Sequence, residues 1–241
     1  MTVSDQAPRN NEPAYVLHTY PYRETSLIVE VLSRHAGRIA LIAKGAKRPR
    51  SAIRGQLLSF QPLELSWFGK SEPHTLRNVE WRGGQAMLRG LALLCGFYMN
   101  ELLLKLLPRD DPHEALYDAY ALALQQMGNG EELPPILRRF ELSLLRELGY
   151  GLQLDHESGT NAIISAEKFY SYVPDHGAVE RHNGASQVQF HGKTLLDLQR
   201  EDFSDQITLA ESKQLLRNEI KHRLGNQELH TRQLLKDLQE L

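Results

Sequence analysis

Cysteine is almost missing from this chain. The single one, Cys95, sits in an apolar run, so neither an internal disulfide framework nor a cysteine-rich metal site can form, which suits a reducing compartment. Long hydrophobic runs are also absent. No stretch approaches the roughly 18 consecutive apolar residues of a membrane span, and the start, MTVSDQAPRNNEP, is polar and proline-bearing. A soluble, cytoplasmic protein with a loose N-terminal tail is expected. Complete phosphate-binding loops are lacking as well. Gly69-Lys70-Ser71 and Gly192-Lys193-Thr194 each match the end of one, but the required upstream glycine is replaced by Glu64 and Gln187. His156, Glu157, His176, His182 and His191 crowd one polar segment at spacings that match no usual ligand pair. Asp110-Asp111 reads as a loop and helix cap rather than a metal-holding carboxylate pair. No catalytic residue, cofactor or metal is therefore expected, and the chain does not read as an enzyme.

What is present is an uneven charge distribution. The formal net charge is only -2, yet residues 14–82 hold eleven Lys and Arg against five Asp and Glu, whereas residues 83–241 hold 16 against 23. A basic front joined to an acidic rear points to a polyanion partner for the front. Within the front, AKGAKRPRSAIRG places Lys44, Lys47, Arg48, Arg50 and Arg54 in one short run without an acid. Lysines and arginines on a loop can follow a phosphate backbone whatever its base sequence, although a solvated turn would have the same composition. Tyr20, Tyr22, Phe60, Trp67 and Phe68 lie near this run in sequence, where they serve either to stack bases or to fill a core.

Periodicity changes where the charge does. From Ala14 to Arg82 short runs alternate with period two: AYVLHTY, SLIVEVLS, RIALIA, QPLELSWF and HTLRNVEW. Five such strands in about seventy residues match the size of an OB-type barrel. Beyond Gly83-Gly84 the period is helical, with MLRGLALLCGFYMNELLLKLL too apolar for a surface helix. Asp111-Pro112 is expected to open a helix, Pro134-Pro135 another closed by Gly149, Thr208 with Glu211 to form a capping box, and a last helix to fill Thr231 to Leu241. The predicted fold is α+β and multidomain: a flexible tail at 1–13, a five-stranded OB-type β-barrel at 14–82, then an α-helical bundle at 83–150 and 193–241 interrupted by a loop-rich insert at 151–192.

In ILRRFELSLLREL, Leu137, Phe140, Leu144 and Leu148 form one apolar stripe that Leu142 and Leu145 widen. Arg138 and Arg139 would fall in the first turn, where the helix dipole disfavours cations. Charges placed against local preference are a sign of function.

Several stretches together resemble the bacterial recombination and repair mediator family RecO. They are Glu24-Thr25-Ser26, Ala43-Lys44-Gly45-Ala46, Asn100-Glu101-Leu102, Arg138-Arg139-Phe140-Glu141 and Leu148-Gly149-Tyr150, in that order. The resemblance covers most of residues 14–155 and implies an N-terminal OB fold, a helical domain and no enzymatic site. It implies binding of single- and double-stranded DNA, annealing of strands coated by single-stranded DNA-binding protein, and RecA loading with RecR, at the nucleoid. On this resemblance, Arg138, Arg139, Leu142 and Leu145 would receive the acidic tail of single-stranded DNA-binding protein, and the five loop cations would hold DNA. Many such proteins carry a four-cysteine zinc module after the Leu-Gly-Tyr motif. Here Leu154 to Thr160 and Val179 to Asn183 contain no cysteine, so zinc is not expected there. An OB-fold module that binds RNA or only protein, with the basic loop merely solvated, is the alternative.

Overall fold

Alternation in the first eighty residues yields strands that are buried on their inner face and, over part of their length, on their outer face too. A computed structural model describes residues 9–180, 188–231 and 233–234. The chain divides into two bodies, residues 1–131 with 229–241, and residues 132–228. In the first, β1 (Arg9–Tyr22), β2 (Ser26–Ser33), β3 (Gly37–Ala43), β4 (Leu63–Phe68) and β5 (His74–Trp81) close a barrel in the order β1-β2-β3-β5-β4. All pairings are antiparallel except β3 with β5, where Leu41 faces His74. A short helix, α1 (Ala52–Gln56), bridges β3 and β4. This is the OB-type barrel that the alternation predicts. Val16, Val29, Val31, Leu41 and Leu65 fill its interior, each worth about 1.5–3 kcal/mol relative to exposure.

Strand β1 starts earlier than the sequence pattern indicates. Residues 9–13 were expected in the tail, but Arg9 pairs with Trp67 and Glu12 with Leu65. The reason is Glu12, a buried carboxylate that accepts hydrogen bonds from the Ser33 hydroxyl and the His35 backbone N–H, both at 2.8 Å. It therefore caps the β2–β3 turn, and a polar residue in a strand-breaking context becomes part of the barrel. The remaining tail, residues 1–8, lies outside the described residues.

Helices α2 (Gly90–Leu106) and α3 (Glu114–Gly128) belong to the same body. Helix α2 packs against β1, and Tyr15 on the outer face of β1 meets the Tyr117 and Tyr120 rings at 5.4 and 5.2 Å. Asn100 donates to the Leu17 carbonyl at 2.8 Å and accepts from the Tyr120 hydroxyl at 2.6 Å. Burial pushes the Tyr120 phenol well above its ordinary pKa, so it remains a donor. The Glu101 carboxylate accepts from the backbone N–H groups of His230 and Thr231 at 2.8 and 2.9 Å. The Asn100-Glu101 pair thus ties a strand and the segment at His230 and Thr231 to one helix. Helix α3 opens at Glu114 with His113 in the capping position, two residues later than Asp111-Pro112 suggests. Asp111 is occupied otherwise, because the segment after α2 lies along the β2–β3 turn. Arg38 donates to the Leu107 carbonyl at 2.9 Å, and the Asp110 N–H donates to the Arg38 carbonyl at 3.1 Å. Gly37, at φ +73°, admits this approach, since a Cβ there would collide with the Asp111 carbonyl.

The second body contains α4 (Leu133–Glu147), β6 (Phe169–Val173), β7 (Gly177–Glu180), β8 (Phe190–His191), α5 (Gly192–Arg200) and α6 (Gln206–Leu224). Both α4 and α5 pack on α6. The stretch 151–192, read as loop-rich, carries a three-stranded sheet in the order β7-β6-β8, with Tyr170 and Phe190 buried. Its strands are two to five residues long, too short to leave a visible period. The capping box at Thr208 and Glu211 does not form. Asp205 caps α6 by accepting from the Ile207 N–H. Thr208 instead donates to Asp197, and Glu211 accepts from the His191 N–H and the Thr194 hydroxyl. Of the helix expected at Thr231 to Leu241, residues 231, 233 and 234 are helical and the rest lie outside the described residues.

Candidate nucleic-acid interface

The basic run follows β3 as a chain of turns ending in α1. Ala46 is completely buried beneath it, so the loop is pinned at its centre while its cations point outward. Lys44, Lys47, Arg48, Arg50 and Arg54 are all exposed. None forms an ion pair among the described residues; the Lys47 ammonium donates to the Arg23 carbonyl at 3.3 Å. Its backbone N–H also donates to the Thr25 carbonyl at 2.9 Å. These two bonds fasten the loop to the β1–β2 turn.

A cleft of about 780 Å³ opens at that junction, lined by Tyr22, Arg23, Glu24, Thr25, Ser26, Ile42, Lys44, Gly45, Arg48 and Thr75. It joins two stretches that lie twenty residues apart in sequence and brings Arg23 beside Lys44 and Arg48. Arg23 is a residue that sequence reasoning missed. It takes a left-handed φ of 52° and its guanidinium lies 5.1 Å from the centre of the Tyr22 ring. The available signal was its position between an aromatic residue and Glu24 in a turn. The nearby aromatic residues divide: Phe60 and Trp67 are buried, Tyr20 and Phe68 are exposed, and Tyr22 is between these extremes. The exposed ones offer π-faces on which unpaired bases can stack.

The arginines of α4 are arranged differently. The helix begins at Leu133, so Arg138 and Arg139 lie beyond its first turn and the expected conflict with the dipole does not arise. Arg138 is buried and donates to Glu141, itself buried, at 2.7 Å. Arg139 is partly exposed, with its guanidinium 5.4 Å from the centre of the Phe203 ring. Leu142 and Leu145 are buried. Of the four, Arg139 alone reaches solvent.

Lys193, the lysine of one partial phosphate loop, is held by Asp197 and Asp205 at 2.5 and 2.7 Å, and the neighbouring Gly192 has the Ser165 carbonyl against it. The ammonium of that lysine is thus already engaged by two carboxylates. The histidines of the insert do not gather: His156 faces Asp155 and His191 faces Glu211, His176 is exposed, and His182 lies outside the described residues. No helix among the described residues is long and apolar enough to cross a membrane.

Comparison with known proteins accounts for nearly the whole chain. The family described as "Recombination protein O N terminal" matches residues 9–84, and "Recombination protein O C terminal" matches residues 87–233. The chain belongs to the RecO family. Relatives named DNA repair protein RecO include those of Nitrosospira multiformis, 50% identical over 98% of this chain and 99% of its own, and Aromatoleum aromaticum, 53% identical over 96% and 97%. That of Dechloromonas aromatica is 53% identical over 96% of this chain and 97% of its own. The N-terminal RecO match begins at Arg9, the first residue of β1. The cleft unites two of the stretches that carried the RecO resemblance, Glu24-Thr25-Ser26 and Ala43 to Ala46.

Proposed function

We propose that the protein is a non-enzymatic recombination mediator that binds DNA through the barrel loop and anneals complementary single strands. Together with RecR it helps load RecA onto DNA coated by single-stranded DNA-binding protein, in the bacterial cytoplasm at the nucleoid. The observation that carries this reading is the set of five exposed loop cations, none engaged by a carboxylate among the described residues, on a protein of the RecO family. Each can neutralise a phosphate and release a counterion. Single and double strands share that chemistry, since it recognises the backbone and not the bases.

For the second partner, we propose that Arg138, Arg139, Leu142 and Leu145 form the region that receives the acidic tail of single-stranded DNA-binding protein. The partly exposed Arg139 supplies the fork for a carboxylate, while Arg138 and the leucines hold its helix in place from below. The deciding experiment is annealing of complementary strands, bare and coated with the cognate single-stranded DNA-binding protein, with RNA of the same sequence as a binding control. Annealing of both, with Arg139→Ala losing only the coated reaction, is expected. Equal affinity for RNA without annealing would replace this function by that of a general OB-fold module.

A further inference from the structure

At the base of the β4–β5 turn the barrel gathers ligand-bearing side chains that neither the DNA surface nor the family comparison uses. Glu72 lies in the turn, His74 is the first residue of β5, and Asp110 comes from the segment after α2; one donor atom of each lies within 4.8 Å of the others. All three belong to the first body. Each is held in place by a different contact. The Glu72 carboxylate accepts from the Ala40 N–H at 2.6 Å and from Arg109 at 2.8 Å. Asp110, at φ 56°, is fixed through its backbone N–H.

His74 is only 3% exposed. One ring nitrogen, Nδ1, lies 3.2 Å from the Gly69 carbonyl. A carbonyl can only accept, so Nδ1 carries the hydrogen, and in the neutral ring Nε2 carries the lone pair. Nε2 is buried and has no hydrogen-bond partner among the described residues. A buried polar atom left unmatched is costly, and one nitrogen of the same ring lies within 4.8 Å of an oxygen of each of two carboxylates, Glu72 and Asp110, that, when ionised, can only accept. Charge leads to the same place. Glu30, Glu72 and Asp110 stand against Arg38 and Arg109, which bind Glu30 and Glu72, leaving one surplus negative charge in a half-buried cluster.

We propose that Glu72, His74 and Asp110 bind one divalent transition ion, of the zinc or manganese class, that ties the β4–β5 turn to the segment following α2. One imidazole and two carboxylates suit such ions better than the all-oxygen shells of calcium or magnesium. The Nδ1–H bond to a backbone carbonyl is the outer contact that orients a metal-bound histidine. Bonds of about 2.0–2.2 Å place ligand atoms roughly 3.3 Å apart around a tetrahedral ion, so the three side chains, whose donor atoms lie within 4.8 Å of one another here, would draw together on binding. This site is distinct from the cysteine module missing at 154–183 and departs from the sequence expectation that no metal binds.

The test uses the full chain, stripped with a chelator and titrated with Zn²⁺ and separately with Mn²⁺ by calorimetry and thermal melting. One equivalent of Zn²⁺ or Mn²⁺ should bind and raise Tm, as any ligand specific to the native state does. Both effects should vanish in His74→Gln and in Asp110→Asn and persist in His156→Gln. Asp110 is exposed, and asparagine tolerates its left-handed backbone, so this variant keeps the test valid if His74→Gln fails to fold. Absence of uptake of either ion by the wild-type chain, or undiminished uptake by folded Asp110→Asn, would overturn the proposal.

Discussion

The cations of the barrel loop and those of the second body carry the same formal charge but have different surroundings. Lys44, Lys47, Arg48, Arg50 and Arg54 meet no carboxylate among the described residues. In the second body, Arg138 is bound to Glu141, Lys193 to two aspartates, and Arg223 to Asp175 at 2.6 Å while its guanidinium lies 3.9 Å from the centre of the Tyr150 ring. Net charge therefore says less than pairing does. A guanidinium paired with a carboxylate inside the fold supports that fold, whereas exposed like charges crowded on one short loop without carboxylates repel one another and favour a polyanion partner.

Predictions that sharpen this contrast can be ranked by size. Glu141→Gln should cost the most, about 3–5 kcal/mol in urea unfolding, because it leaves Arg138 buried without its charge partner; a loss below about 1 kcal/mol would move Arg138 into the class of the loop cations. Asn100→Ala is expected to cost about 2 kcal/mol, since the Leu17 carbonyl and the Tyr120 hydroxyl both lose a buried partner. An unaltered midpoint would mean that these bonds do not bear on stability.

Glu101 provides a pH test within the first body. Burial alone would raise its carboxyl pKa, but hydrogen bonds from Thr231 and His230 and the charge of Lys105 outweigh that and lower it. A carboxylate with a depressed folded pKa contributes stability that is present above its unfolded value and lost as pH falls through the folded one. Amide-exchange protection at His230 and Thr231 should thus hold at neutral pH and through the ordinary carboxylate range, and disappear only below it. Disappearance already near pH 6 would assign the anchor to a histidine.

Much of the barrel was legible because its strands are short runs rich in β-branched and apolar residues bounded by turn signals, with alternation clearest in HTLRNVEW, whereas SLIVEVLS is buried on both faces from Val29 to Ser33. The extension of β1 to Arg9 was hidden, since its logic lies in a single carboxylate, Glu12, reaching a turn more than twenty residues away. Strands of the insert were hidden by shortness. At the candidate DNA surface the loop was legible as composition, but its partner Arg23 was not, because the two meet through the β2–β3 pairing, which sets Leu27 against Ala43, and through the Lys47 bonds to the β1–β2 turn. The metal-ligand cluster has no sequence signature at all: its three residues come from a turn, a strand and a distant loop.

The smallest effect on stability accompanies the most direct test of function. Lys44→Gln, Arg48→Gln and Arg50→Gln combined should change folding stability by no more than about 0.5 kcal/mol, as exposed substitutions do. Binding of this triple variant to a single-stranded oligonucleotide, measured across a salt series, should weaken for every sequence tested, and log K against log salt should flatten by up to about 0.7 per lost phosphate contact. A folded triple variant with wild-type affinity and slope would contradict the assignment of the unpaired loop cations to DNA.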